Sequence, residues 1–391
     1  MKYLKLLILI IAFNVISYAQ VDTNSSTYYM YVYFINLEQS VGSRLAFSND
    51  GINWQKYNNG KAIITPNVAS NGEILMRDPN IYYESKDSTF HMVWTAGWTG
   101  KVLGYAKSRD LINWSTQKAL NVGENISGCT VCWAPEIFYD DSQEKYMLYW
   151  ATDAGEDGKR IYYSMTSDFS TFTNPVKFFD PGYSVIDATI LKVADSKYYM
   201  FFKDERSGLA TLKTQNIHYV VGTTPHGGVP SGYTADSVAT NWSAVSKPIT
   251  KVSCEGPTAI KIGDYYNVYF DFFREPSSTY RVVSVKNLDT AISPWPQGDT
   301  LKVSGGDFTY NHGSISVVPK KFVKFLLFHT PLDTLAGAPL DTGLVTVSTD
   351  IPLGKRNVGC GTGVGLAFIP PIGYKIAASR RRRKKILSVK K

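Results

Sequence analysis

The sequence predicts an all-β fold, a single five-bladed β-propeller, and three observations carry that prediction. Short apolar and aromatic runs fill the chain between turn residues such as NDG, GWTG and GEDG. No amphipathic stretch of ten or more helical residues follows the N-terminal segment. A unit of three or four such runs recurs along the chain. Many short strands at regular spacing define a sandwich, barrel or propeller, and repetition at blade size selects the propeller. A pair of stacked sandwiches is the competing arrangement.

The two ends are set aside first. Residues 1–19 carry Lys2 and Lys5, an apolar run from Leu6 to Ile16, and small residues at Ser17 and Ala19. Basic, apolar and small regions in that order are those of a signal peptide, too short in its apolar part to span a bilayer. The expectation is an exported chain beginning near Gln20, in the periplasm, at the cell surface or outside the cell. Residues 351–391 hold GCGTG at 359–363, then the apolar GVGLAFIPPIGY and the basic RRRRKK. That order resembles a C-terminal sorting or anchoring signal, which would associate the chain with a membrane or cell surface. Pro370–Pro371 interrupts any straight spanning helix there. A disordered basic tail is the other reading.

These ends also explain the charge. The chain has 41 basic and 33 acidic residues, a formal +8. Eight of the positive charges lie in 380–391 and two in the first 19 residues, leaving 20–379 near −2. The basic balance therefore gives no nucleic-acid-binding body. Four cysteines in 391 residues are no disulfide framework. Cys129 and Cys132 form one C-x-x-C without the second pair a zinc site needs, and Cys254 reads as buried.

The propeller is assigned to residues 20–350. Its strands include YYMYVYF (28–34), FHMVWTA (90–96), KYMLYWA (145–151), KYYMFFK (197–203), YYNVYFDFF (265–273), ISVVP (315–319) and FVKFLLFH (322–329). The five units open at Asp78, Glu136, Asp187, Glu255 and His312, separated by 58, 51, 68 and 57 residues. The fifth unit is short of strands, and residues 28–54 supply them. RLAFSNDGINW parallels GYAKSRDLINW at 104–114, so 28–54 close the last blade and remove the exposed edges.

In a propeller the first strand of each blade lines the axis, so these five polar residues converge on one end of the channel. Converging carboxylates are costly unless hydrated, paired or bound to a cation, and repulsion among them raises at least one pKa. One acid and one base can then coexist near neutral pH, as glycosidic bond hydrolysis requires.

The segments MRDPNIYY, SVIDATILK, CEGPTAIK and HGSISVV, in that order at blade spacing, resemble glycoside hydrolase family 43 over roughly residues 28–330. The resemblance implies a five-bladed propeller that hydrolyses arabinose-, xylose- or galactose-containing plant polysaccharides with inversion. It implies Asp78 as general base, Glu255 as general acid and Asp187 as the group that orients the acid and adjusts its pKa. It requires no cofactor, and it brings a calcium ion or ordered water beside His312, touched through water. Glu136 reads as an axial or substrate-contacting group. Trp94, Trp98, Trp133 and Arg274 are the candidate sugar contacts. The insertion at roughly 206–250 would wall one side of the pocket and favour exo action on a plant or algal polysaccharide or oligosaccharide. Two alternatives stand beside this reading: a carbohydrate-binding propeller without catalysis, and a retaining enzyme. Carboxyl groups about 5–5.5 Å apart favour retention, and about 6.5–9.5 Å inversion.

Overall fold

The computed structural model describes residues 25–328, except 157, 207–214, 237, 239–240, 252, 273–278, 291, 301 and 304–310. The N-terminal segment, the basic tail, Arg274 and His329 lie outside the described residues. The chain opens with β1 (Tyr28–Tyr33), β2 (Arg44–Ser48) and β3 (Asn53–Lys56). The next four strands, β4 (Arg77–Glu84), β5 (Thr89–Thr95), β6 (Leu103–Ser108) and β7 (Lys118–Leu120), form one sheet. Another holds β8 (Trp133–Asp140), β9 (Lys145–Thr152), β10 (Arg160–Thr166) and β11 (Val176–Phe179). A third holds β12 (Val185–Ala194), β13 (Lys197–Asp204) and β14 (Ile217–Gly222). The fourth holds β15 (Glu255–Ile262), β16 (Tyr265–Phe272), β17 (Thr279–Val285) and β18 (Gln297–Thr300). The fifth is assembled from both ends: β19 (Lys302–Val303) and β20 (Gly313–Val318) join β1–β3 in the order β19-β3-β2-β1-β20.

Burial on both faces closes these sheets into a five-bladed propeller. In β1, Tyr28, Met30 and Val32 enter the core shared with β4–β6, while Tyr29, Tyr31 and Tyr33 enter the core shared with β15–β17. In β9, Met147, Tyr149 and Ala151 face the third blade, and Leu148 and Trp150 face the first. A fifth core joins the third and fourth blades through Phe201, Val268, Phe270 and Trp295. Alternation thus serves two cores at once, which is why the strands read as continuous apolar runs.

The matched GINW and LINW segments are one recurring turn. Ser48 Oγ accepts from the backbone N–H groups of Asp50 and Gly51, and Asp50 Oδ1 from those of Ile52 and Asn53. Ser108 and Asp110 repeat this arrangement. Thr166 and Asp168 repeat it again in the second blade. These side chains supply the acceptors that the turning backbone lacks.

One expected strand is a helix. Residues 322–329 were expected to continue the sheet, but Lys320–Phe328 form α1. Phe322, Val323 and Leu326 are buried, a helical spacing rather than an alternation. Phe322 packs on Phe90 and Tyr83 with ring centroids at 4.8 and 5.7 Å, so α1 covers the seam between the fifth and first blades.

Candidate active site

The first strands of four blades begin with the same kink. Asp78, Ala134, Asp187 and Gly256 have φ of 49°, 48°, 56° and 59°. Strand register shifts at each of these places. Two non-glycine aspartates in left-handed backbone carry strain of roughly 1–3 kcal/mol each, of a kind concentrated at functional sites. The kink re-aims the two carboxylates, and both approach one imidazole. His312 Nδ1 lies 3.5 Å from Asp78 Oδ1 and 3.8 Å from Asp187 Oδ1.

This alignment corrects the sequence register. The structural counterpart of Asp78 and Asp187 in the fourth blade is Gly256, one residue beyond Glu255. Glu136 lies two residues beyond its own kink, at the level of Asn80, Thr189 and Thr258. That level ties blades together. Asn80 Oδ1 accepts from Ile137 N–H, Thr258 Oγ1 from Ile315 N–H and Ser314 Oγ from Ile81 N–H, each at 3.1 Å. Glu136 works there through Tyr149, whose hydroxyl donates to it at 2.5 Å and accepts from Ile190 N–H. Glu136 is therefore a buried inter-blade group, outside the set that lines the cavity.

The cavity holds about 230 Å³ and is lined by Asp78, Asp187, Glu255 and His312, with Arg77, Thr95, Trp98, Trp133, Ile186 and Glu205. Trp98 and Trp133 meet edge to face at 6.2 Å, and the Trp133 indole donates to the Trp98 carbonyl at 2.9 Å. The Arg77 guanidinium stacks on Trp98 at 3.9 Å. Trp94 is not a sugar contact. It is fully buried between blades, and Gly104 packs against its indole so closely that an added Cβ would lie 1.9 Å from it. The described part of the 206–250 insertion contributes no lining residue. Its Trp242 is buried against Phe178, outside the cavity, so the expected wall is absent among the described residues.

Electrostatics separate the carboxyls. Burial pushes Asp78 up, but the His312 hydrogen bond and the Arg77 charge outweigh it and hold the group below its ordinary range. Burial drives Asp187 up to about 6, with His312 opposing and Glu255 adding. Burial raises Glu136 to about 7 against the bond from Tyr149. Burial disfavours a charged His312, yet Asp187, Asp78 and Glu136 raise it to about 9. An imidazolium thus supplies positive charge among these acids. Among the described residues no group of three His, Cys, Asp or Glu side chains is placed to hold a metal ion. His312 Nδ1 faces two carboxylates, those of Asp78 and Asp187.

Sequence reasoning missed charged neighbours of the site, among them Lys203, Glu205 and Asp271. Lys203 is buried and reaches both Glu255 Oε2 and Glu205 Oε2 at 2.8 Å. Asp271 is buried opposite Glu255 in the β15–β16 register and accepts from Asn311 Nδ2 at 2.9 Å. Burial and the Glu255 charge raise Asp271 to about 8. Their signals were charges at or near the ends of apolar strands, in KYYMFFKDE and YYNVYFDFF. Asp187 touches the candidate acid's backbone: its Oδ2 accepts from Gly256 N–H at 2.9 Å.

A five-bladed propeller that brings carboxylates and a histidine from different blades into one cavity has the groups that acid–base hydrolysis uses. Residues 24–322 match a family-43-related model described as a probable glycosyl hydrolase domain, and the chain belongs to that family. An α-L-arabinofuranosidase of Bifidobacterium longum subsp. longum is 28% identical over a stretch covering 41% of this chain. That stretch is 18% of the relative, so this chain matches under a fifth of its length. An endo-1,4-β-xylanase structure from Bacteroides thetaiotaomicron has the same fold, with a TM-score of 0.52 at 14% identity, covering 73% of this chain and 96% of that one.

Proposed function

We propose that this chain hydrolyses glycosidic bonds in arabinose- or xylose-containing plant or algal glycans, with Glu255 as general acid and Asp78 as general base of an inverting reaction. The observation that carries the reading is the meeting of Asp78, Asp187, Glu255 and two tryptophans in one cavity. Asp78 is held ionised by His312 and Thr95, the state a base needs. Asp187 fixes the backbone next to the acid through Gly256. Trp98 and Trp133 offer ring surface to a sugar at the cavity edge. The reading needs no metal, so a chelator should leave the rate unchanged. It also includes export with removal of residues 1–19, which N-terminal sequencing of the native protein tests.

A second reading has its own observation. Glu255 forms a salt bridge with Lys203, and a general acid must carry its proton when substrate arrives. A propeller that binds glycans without cleaving them would keep this pair. One experiment separates the two. Arabinosides, xylosides and their polysaccharides are incubated with the wild type and with Glu255→Gln, Asp78→Asn and Asp187→Asn, and the product anomer is followed by NMR. The enzyme reading expects an inverted product. Glu255→Gln should cost roughly 10²–10⁴-fold on natural glycosides and less on substrates with good leaving groups. Binding without turnover by the folded wild type would establish the second reading. Equal turnover by Glu255→Gln would remove the acid assignment.

A further inference from the structure

The C-x-x-C pair plays no part in the chemistry above, yet its placement is constrained. Cys129 Sγ and Cys132 Sγ lie 3.7 Å apart, and both side chains are buried. The turn that carries them is pinned from several sides. Cys129 N–H donates to the Ile126 carbonyl, and the Thr130 N–H to Asp153 Oδ1 at 2.8 Å. The Thr130 carbonyl accepts from Gly100 N–H at 2.7 Å. Gly123 lies against both sulfurs: an added Cβ there would stand 2.7 Å from Cys129 Sγ and 2.9 Å from Cys132 Sγ. A side chain at position 123 would therefore collide with both sulfurs. A disulfide needs about 2.0 Å between sulfurs, so closure takes less than about 2 Å of side-chain movement.

We propose that Cys129 and Cys132 form a disulfide under oxidising conditions, a covalent clip beneath the Trp98–Trp133 wall of the cavity. Cys132 immediately precedes Trp133, and the Thr130 bond reaches the loop that carries Trp98. The clip would fix both tryptophans through the backbone that presents them. The oxidant is a small-molecule disulfide. The Cys129 thiolate attacks one of its sulfurs and expels one thiolate. Cys132 then attacks the Cys129 sulfur and expels the second. Two thiols and one disulfide become one protein disulfide and two small thiols, with both protons carried by the released thiols. Cys129 is the fitting attacker: the hydrogen bond from Cys132 brings its thiol down to about 7 despite burial, with the Thr152 hydroxyl assisting.

The test uses the full chain equilibrated with oxidised or reduced glutathione, quenched in acid, unfolded, alkylated and mapped by mass spectrometry. The expected result is a peptide with Cys129 linked to Cys132, two hydrogens lighter and without label. Cys254, whose thiol burial pushes up to about 12, should take the label in both samples. The oxidised form should also melt a few degrees higher, a modest gain because the closed loop is short. Cys132→Ser should abolish that difference. Quantitative labelling of Cys129 and Cys132 in the oxidised sample would overturn the proposal, as would either one pairing with Cys254 or Cys360. The map is made on the wild type, so it stands even where a variant fails to fold. A lower KM of the oxidised form on a cleaved glycoside would show the link to the tryptophan wall. That last readout rests on the glycosidase reading, whereas the mass map does not.

Discussion

His312 sits between Asp78 and Asp187 and holds opposite effects together. Its ring is raised from 6.5 to about 9 by the acids around it. The sign of the linkage follows. A raised histidine contributes stability that is full below about 6.5 and is lost as pH rises through about 9. Urea unfolding at pH 6, 7.5 and 9 should therefore show falling stability, and His312→Gln should flatten that fall. The same substitution removes the group that holds Asp78 low, so the acidic limb of any rate profile should move to higher pH. An unchanged slope and an unmoved limb would show that the imidazolium does not carry this charge. Gly256 shows how tightly the ring is seated. At φ 59°, an added Cβ would lie 2.5 Å from the His312 ring, against a group walled in by both aspartates. Gly256→Ala should cost roughly 2 kcal/mol or more, from backbone strain and displacement of the ring together. Denaturant midpoints against the wild type measure it, and a cost near zero would mean that the ring moves freely.

Elements were legible to the degree that one residue pattern has one structural outcome. The Ser-x-Asp turns repeat because short side chains must satisfy a turning backbone, and GINW and LINW displayed that requirement directly. Blade-opening carboxylates were legible as a set but not in register. The kink moves one residue between Asp187 and Gly256, and spacing alone does not reveal a left-handed φ. Trp94 failed as a sugar contact because a strand buried on both faces looks the same in sequence whichever side is read. Lys203 and Asp271 went unseen because their partners come from other strands, which only the folded blades bring together. The helix α1 failed for another reason. Phe322, Val323, Phe325, Leu326, Leu327 and Phe328 form a short apolar run, for which strand and helix are ambiguous. Pro319 before the run was the missed signal, since proline suits a chain entering a helix and cannot donate to a ladder. The helix has energetic weight. Phe322 is fully buried against Phe90 and Tyr83, so Phe322→Ala should cost about 3–5 kcal/mol in chemical denaturation. Lys321, which lies at the surface, should tolerate alanine within about 0.5 kcal/mol and serves as the control.

At the scale of the molecule the site depends on closure of the ring, because its lining residues come from different blades. Asp78 opens the first, Asp187 the third and Glu255 the fourth, while His312 precedes β20 in the blade completed by β1–β3. The seam is an antiparallel pairing from Tyr28 opposite Val318 to Tyr33 opposite Gly313. β1 also supplies alternate residues to two inter-blade cores, so its loss would unpair β20 and open both cores at once. This predicts one cooperative unit rather than five independent blades. The full chain should unfold in a single urea transition, with tryptophan fluorescence and far-ultraviolet circular dichroism giving the same midpoint. A chain lacking residues 25–56 should show no such transition and should be cut rapidly by protease, because both flanking cores and the β20 edge would be exposed. It should also lose the sugar binding proposed for the cavity, since His312 stands immediately before the unpaired strand. If the shortened chain kept the midpoint and slope of the parent, the seam would not carry the fold, and the axial histidine would need another source of support. If fluorescence and dichroism separated in the parent, the blades would be melting one by one, and a substitution in β1 should then leave the β12–β14 blade protected in hydrogen exchange. The two-core burial of β1 argues for the first outcome: each of its side chains is shared with a neighbouring blade, so no blade at this seam can leave alone without stripping the next.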